Sequence, residues 1–158
     1  MQGLVAPIER LTECNTDFRR VLYTSANLQL VLMALEPGEE IGSETHATHD
    51  QFFRIEKGKG RFRIGQTKIR VGPGDAFVAP AGVPHNLTNI GKKHLRLYTI
   101  YAPPNHADHL IEPTKAIADA QERTKTAASE AETARRDMID EGGPVAATLA
   151  AATLGDPK

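Results

Sequence analysis

Two short stretches of this chain hold the residues able to do chemistry. The first, Gly38 to Gly58, places Glu44, His46, His49, Asp50 and Gln51 close together, side chains whose oxygen and nitrogen atoms donate to divalent cations. Glu44 and His46 are two apart. On a strand that spacing turns both side chains to one face, where they can grip one ion. The second stretch, Gly74 to Asn89, delivers a single histidine, His85, straight after Pro80-Ala81-Gly82-Val83-Pro84. A turn stiffened by proline at both ends fixes the entry of the next strand and holds His85 at one orientation.

Strands must carry these groups. All eight aromatic residues fall between Phe18 and Tyr101, so the core lies in that segment. It reads as short apolar runs of strand length: Phe18 to Thr24, Leu28 to Leu35, Gln51 to Ile55, Arg61 to Ile64, Lys68 to Val71, Ala76 to Ala79, His85 to Asn89 and Leu95 to Tyr101. Turn segments rich in Gly and Pro separate them, among them Glu36-Pro37-Gly38, Lys57-Gly58-Lys59-Gly60 and Gly72-Pro73-Gly74-Asp75. Strands this closely spaced, with no helical pattern between them, predict an all-β antiparallel sandwich or barrel over residues 1–112.

From Pro113 the pattern changes. Ile117, Ala120, Thr124, Ala127, Ala131, Ala134 and Met138 recur at steps of three and four, a helical stripe that Thr114 would cap and Gly142-Gly143-Pro144 would stop. Residues 113–158 therefore read as an Ala-rich helical tail, fraying beyond residue 144 and carrying no chemistry.

Composition narrows the function. Nineteen Lys and Arg against 20 Asp and Glu leave a net charge of −1, so no overall positive field draws in nucleic acid or a membrane surface. The lone Cys14 excludes disulfide frameworks and CxxC metal sites. With no apolar run of signal-peptide or membrane-spanning length, the expected location is cytoplasmic. Sheet edges such as Phe18 to Thr24 are usually paired and Phe52 is expected to face outward, which suggests a homodimer.

The two stretches resemble the paired motifs of the cupin superfamily. The first motif runs Gly, five residues, His-x-His, three or four residues, Glu, six residues, Gly; the spacing fits from Gly38 through Glu44, His46 and Gln51 to Gly58. Glu44 stands at the first His position and Gln51 at the Glu position. The second motif is matched without departure at Gly74, Pro80, Gly82, His85 and Asn89. The segment ending Tyr101-Ala102-Pro103-Pro104 is similar to small single-domain bacterial cupins described as like mannose-6-phosphate isomerase. The resemblance implies a double-stranded β-helix, or jelly roll, to which the helix read from periodicity is added at the C-terminus, and a divalent metal held by Glu44, His46, Gln51 and His85.

Strict alternation from Glu44 and His46 would turn Asp50 inward instead of Gln51. That register also buries Arg54, whereas an inward Gln51 buries Phe53 and Ile55. Gln51 is therefore preferred, with Ala47 to Asp50 as the irregular stretch that shifts the phase. Nitrogen and oxygen donors of this mixture suit iron, manganese, nickel, cobalt or zinc, with open positions for a substrate. Phe53, Arg63 and Tyr98 are the expected pocket lining, an inward Arg63 clamping a carboxylate or phosphate. Two functions follow from the resemblance. One is a metal-dependent enzyme acting on a small oxygen-rich metabolite by isomerisation, oxidation or lysis, with Glu44 as ligand or general base; the other is a non-catalytic sugar-binding barrel with a structural metal or none.

Overall fold

The computed structural model describes residues 3–140. A short helix α1 (Ile8–Cys14) precedes eight strands, β1 (Arg19–Thr24), β2 (Gln29–Leu35), β3 (Asp50–Lys57), β4 (Gly60–Ile64), β5 (Thr67–Val71), β6 (Ala76–Ala79), β7 (His85–Asn89) and β8 (Leu95–Ala102). A two-residue strand β9 (Ile111–Glu112) and helix α2 (Lys115–Asp140) follow. All eight expected strands are present; α1 and β9 were not anticipated.

The strands form two antiparallel sheets, one ordered β6-β3-β8-β2-β1-β9 and the other β5-β4-β7. Their apolar faces meet in a jelly-roll sandwich. Strand β8 shows how alternation builds it: Leu95, Leu97, Thr99 and Tyr101 point into the core while Arg96, Tyr98 and Ile100 lie on the outer face. In β3, Gln51, Phe53 and Ile55 are buried and Asp50 is exposed, the register in which Arg54 stays outside the core. Phe53, Phe62 and Phe77 stack beneath the site, with ring centroids 4.1–5.7 Å apart.

The small sheet has a further, irregular edge. Chain from Glu39 to His46 runs antiparallel along β7, joined by Asn89 N–H to Glu39 O (2.8 Å), Ile41 N–H to Leu87 O (3.0 Å) and reciprocal bonds between Glu44 and His85 (2.9 Å each). Bends at Ala47 and Thr48 then carry the chain across to β3 on the large sheet.

The chain divides after Ala120 into two units. The first includes the start of α2, where Thr114 Oγ1 accepts the Ile117 N–H at 3.4 Å and Ala118 is buried in the core. Ile117, expected on the buried stripe, is 42% exposed, because Ala118 and not Ile117 faces the core. In the second unit, residues 121–136 of α2 are exposed throughout. Gly142-Gly143-Pro144 and the tail beyond lie outside the described residues. Among the described residues no helix is long and apolar enough to cross a membrane.

Candidate metal centre

Backbone pairing brings the donors together. Residues directly opposite in an antiparallel bridge put their side chains on the same face, so the Glu44–His85 bridge aims both into the barrel. His46 continues this edge, its carbonyl accepting the Gly82 N–H at 2.8 Å. The turn that carries His85 is thereby tied to the edge that carries Glu44 and His46. Asp50 Oδ1 accepts the Ala81 N–H at 2.9 Å, so the alternative ligand is spent outside on holding this same turn.

Glu44, His46 and His85 offer ligand atoms that all lie within 4.8 Å of one another. Glu44 Oε2 is 3.2 Å from His46 Nε2 and 3.8 Å from His85 Nε2, and Gln51 Oε1 is 2.9 Å from His85 Nε2. Donor atoms about 2.1 Å from a common ion stand roughly 3 to 3.5 Å apart, so the set is spaced to share one cation.

The hydrogen-bond chain around Gln51 is compatible with a cation at this point. The Thr99 hydroxyl donates to Phe52 O at 2.8 Å. It has no second proton, so it accepts from Gln51 Nε2, 3.1 Å away. This fixes the fully buried amide with Oε1 toward His85. His85 Nδ1 lies 3.0 Å from Val83 O and carries its proton there. In the neutral imidazole, Nε2 and Gln51 Oε1 therefore turn lone pairs at each other. Two acceptors 2.9 Å apart repel unless a second proton on Nε2 or a metal ion stands where both point. A transition-metal ion fits that place and the donor chemistry around it.

Behind Glu44 lies a buried ion pair. Arg19 Nη1 donates to Glu112 Oε2 at 2.6 Å, and Arg19 Nη2 stands 3.8 Å from Glu44 Oε1. Glu44 thus turns one oxygen to the imidazoles and the other to a guanidinium. Burial opposes the Arg19 charge, but the surrounding negative groups, Glu112 and Glu44 among them, outweigh it and raise the group above its ordinary value. Tyr101, fully enclosed, is pushed well above the usual phenol range by burial and then by the charge of Glu44. It remains neutral.

Buried Gln29 closes this end of the barrel. Its amide nitrogen donates to Thr24 Oγ1 (3.0 Å) and His106 O (2.8 Å), while its oxygen accepts from the N–H groups of Asn105 (3.3 Å) and His106 (2.9 Å). The loop after β8 is held beside the site, with His106 edge-on to Tyr101 and His49 Nε2 3.0 Å from Asn105 Oδ1.

Two expected lining residues lie elsewhere. Tyr98 is on the outer face of β8 beside Phe52, with ring centroids 6.3 Å apart, because inward Leu97 and Thr99 flank it; Tyr101 takes the interior position. Arg63 alternates with buried Phe62, and its guanidinium donates to Ser43 Oγ at 2.8 Å on the exterior. No clamp forms there. Phe53 is buried, its ring 6.0 Å from that of His85. Arg19, Thr99 and Glu112 were missed as site residues, though Arg19 shares its strand face with Val21, a phase that already places it inside.

A protein-family model described as a cupin domain matches residues 31–101. The uncharacterized protein YrkC of Bacillus subtilis is 44% identical over 124 residues, covering 75% of this chain and 67% of that protein. An uncharacterized protein of Acanthamoeba polyphaga mimivirus is 41% identical over 109 residues, 66% of this chain and 68% of its own length. Among solved structures, BH2720 from Bacillus halodurans superposes with a TM-score of 0.74 at 42% identity, covering 75% of this chain and 95% of that one.

Proposed function

This chain belongs to the cupin superfamily, and from that premise we propose that it is a metal-dependent enzyme acting on a small oxygen-rich metabolite, by isomerisation or by oxidation or lysis. The observation that carries the reading is the convergence of ligand atoms from Glu44, His46 and His85 within 4.8 Å of one another, with Gln51 Oε1 2.9 Å from His85 Nε2. Glu44, His46, Gln51 and His85 would hold the ion. Iron, manganese, nickel, cobalt or zinc bound there would supply Lewis-acid polarisation of a substrate oxygen.

The chain's own groups do the rest. Glu44 Oε2, on the side of the imidazoles, would serve as ligand or, off the ion, as the base that takes a proton from a substrate hydroxyl, while Oε1 faces Arg19. Tyr101 is held neutral beside Gln51 in the interior. Arg19 balances the carboxylate charge on that side. Phe53, with Phe62 and Phe77 behind it, closes the floor of the site against water.

Elemental analysis of purified protein, followed by turnover assays on sugars and hydroxy acids before and after metal extraction, tests this reading. Stoichiometric transition metal and activity lost on extraction are expected; full turnover by the stripped protein refutes it. Bound sugar without turnover would leave a binding barrel instead. We also propose a homodimer built on the outer sheet face, where Phe52, Tyr98 and half-exposed Val78 present apolar surface. A monomer mass by light scattering would contradict this.

A further inference from the structure

At the far end of the barrel from the metal centre, four cationic side chains and a histidine surround one concavity. Lys57 at the end of β3, Lys92, Lys93 and His94 on the β7–β8 loop, and Arg96 on β8 line a cavity of about 540 Å³ beside Pro37 and Gly58. Six residue steps along β3 lead from Gln51 to Lys57, about 20 Å at the ordinary rise of a strand. The metal donors and this basic cavity are therefore separate sites.

Acidic groups cancel only part of the charge. Lys57 pairs with Glu13 at 2.9 Å, and His94 is 3.9 Å from the exposed Glu36 carboxylate. Lys92 and Lys93 are exposed and make no ion pair among the described residues. Arg96 donates from Nη1 to the Glu13 carbonyl and keeps a buried Nε with no partner.

The loop that presents these charges is locked. Asn89, 1% exposed, donates from Nδ2 to Leu35 O and Lys93 O, each at 2.9 Å, and its Oδ1 accepts the Gly91 N–H at 2.8 Å. Ile90 N–H bonds Lys59 O at 3.0 Å. Gly58, at φ +93°, lies so close to the loop that a Cβ there would come within 2.7 Å of His94 O. The ammonium groups are thus carried on a fixed frame, which lowers the ordering cost of binding a counter-ion.

We propose that this cavity binds a phosphate group, carried by a small phosphorylated metabolite or present as the free ion, independently of the metal centre. Several ammonium groups and a guanidinium around one hollow match a dianion with three or more acceptor oxygens better than a carboxylate with two.

The test is an amide NMR titration of the full chain with inorganic phosphate and, separately, with glycerol phosphate, against sodium chloride at matched ionic strength. Saturable shifts at Lys57, Gly58 and residues 92–96 are expected with either phosphate and not with chloride. Tighter binding of the ester identifies a phosphorylated metabolite, and equal binding the free ion. In K92E/K93E, both positions being exposed, the remaining spectrum should hold while affinity falls about tenfold or more. Linear shifts without saturation, an equal response to chloride, unchanged affinity in the double variant, or shifts confined to residues 44–51 and His85 would each overturn the proposal.

Discussion

Glu44 and His85 face each other across an antiparallel bridge, the N–H of each bonded to the carbonyl of the other at 2.9 Å. Two donors from separate motifs are thus registered by main chain, which no side-chain substitution at either position removes. Gln51 reaches the same centre from the other sheet. The site therefore exists only when both sheets are packed, and its donors report on the folded barrel as a whole.

Thr99 controls which end of the Gln51 amide faces His85, since its hydroxyl accepts from Gln51 Nε2 at 3.1 Å and donates to Phe52 O at 2.8 Å. Thr99→Val preserves shape and removes both bonds, freeing the amide to turn its NH₂ group toward the histidine. Metal affinity, read by competition with a chelating dye, should fall about 10- to 100-fold while the circular dichroism spectrum is retained. Affinity equal to that of the parent would mean that Gln51 is not a ligand.

The Arg19–Glu112 pair is buried on both sides, with side chains 9% and 2% exposed and a 2.6 Å contact. Removing one partner strands a charge in the interior. Arg19→Met should cost about 3–5 kcal/mol in urea unfolding, and the combined change of Arg19 and Glu112 to methionine should recover most of it. If the single and double variants unfold at the same midpoint, the pair is not what Arg19 contributes.

These cases show which parts of the molecule the amino-acid order discloses. The donors were readable because motif spacing encodes strand phase and turn length, and the choice of Gln51 over Asp50 followed from where Arg54 would otherwise sit. Tyr98 was misplaced for a reason of parity: Leu95 and Leu97 are the inward residues of β8, so Tyr101 shares their face and Tyr98 does not. Arg19 and Glu112 pair across 93 positions, through a strand of two residues too short to carry a periodic signal. Helix α1 buries only Thr12 fully, so it showed no apolar stripe either.

Gly58 holds the β3–β4 turn against the loop before β8. An added Cβ would meet His94 O at 2.7 Å and Leu95 Cα at 2.8 Å, both backbone atoms, at a φ of +93°. Nothing flexible is there to yield. Gly58→Ala should therefore destabilise the barrel by about 3 kcal/mol or more, from positive-φ strain and displaced backbone together. A urea midpoint within experimental error of the parent would show that the turn relaxes freely.

Tyr101 makes stability fall in alkali, and the sign follows from its raised pKa. Below pH 10, the phenol's ordinary value, folded and unfolded chains both keep the proton and no pH dependence arises. Above pH 10 the unfolded chain releases it while the buried phenol, penalised by burial and by Glu44, retains it. Unfolding then gains free energy with each further pH unit, up to about 1.4 kcal/mol per unit from this one group. Urea unfolding of chelator-treated protein between about pH 8 and 11 should show the parent losing stability more steeply than Tyr101→Phe at the upper end. Curves that stay parallel across the range would mean that Tyr101 ionises as readily in the folded barrel as in the open chain, and that burial does not hold it neutral beside Gln51.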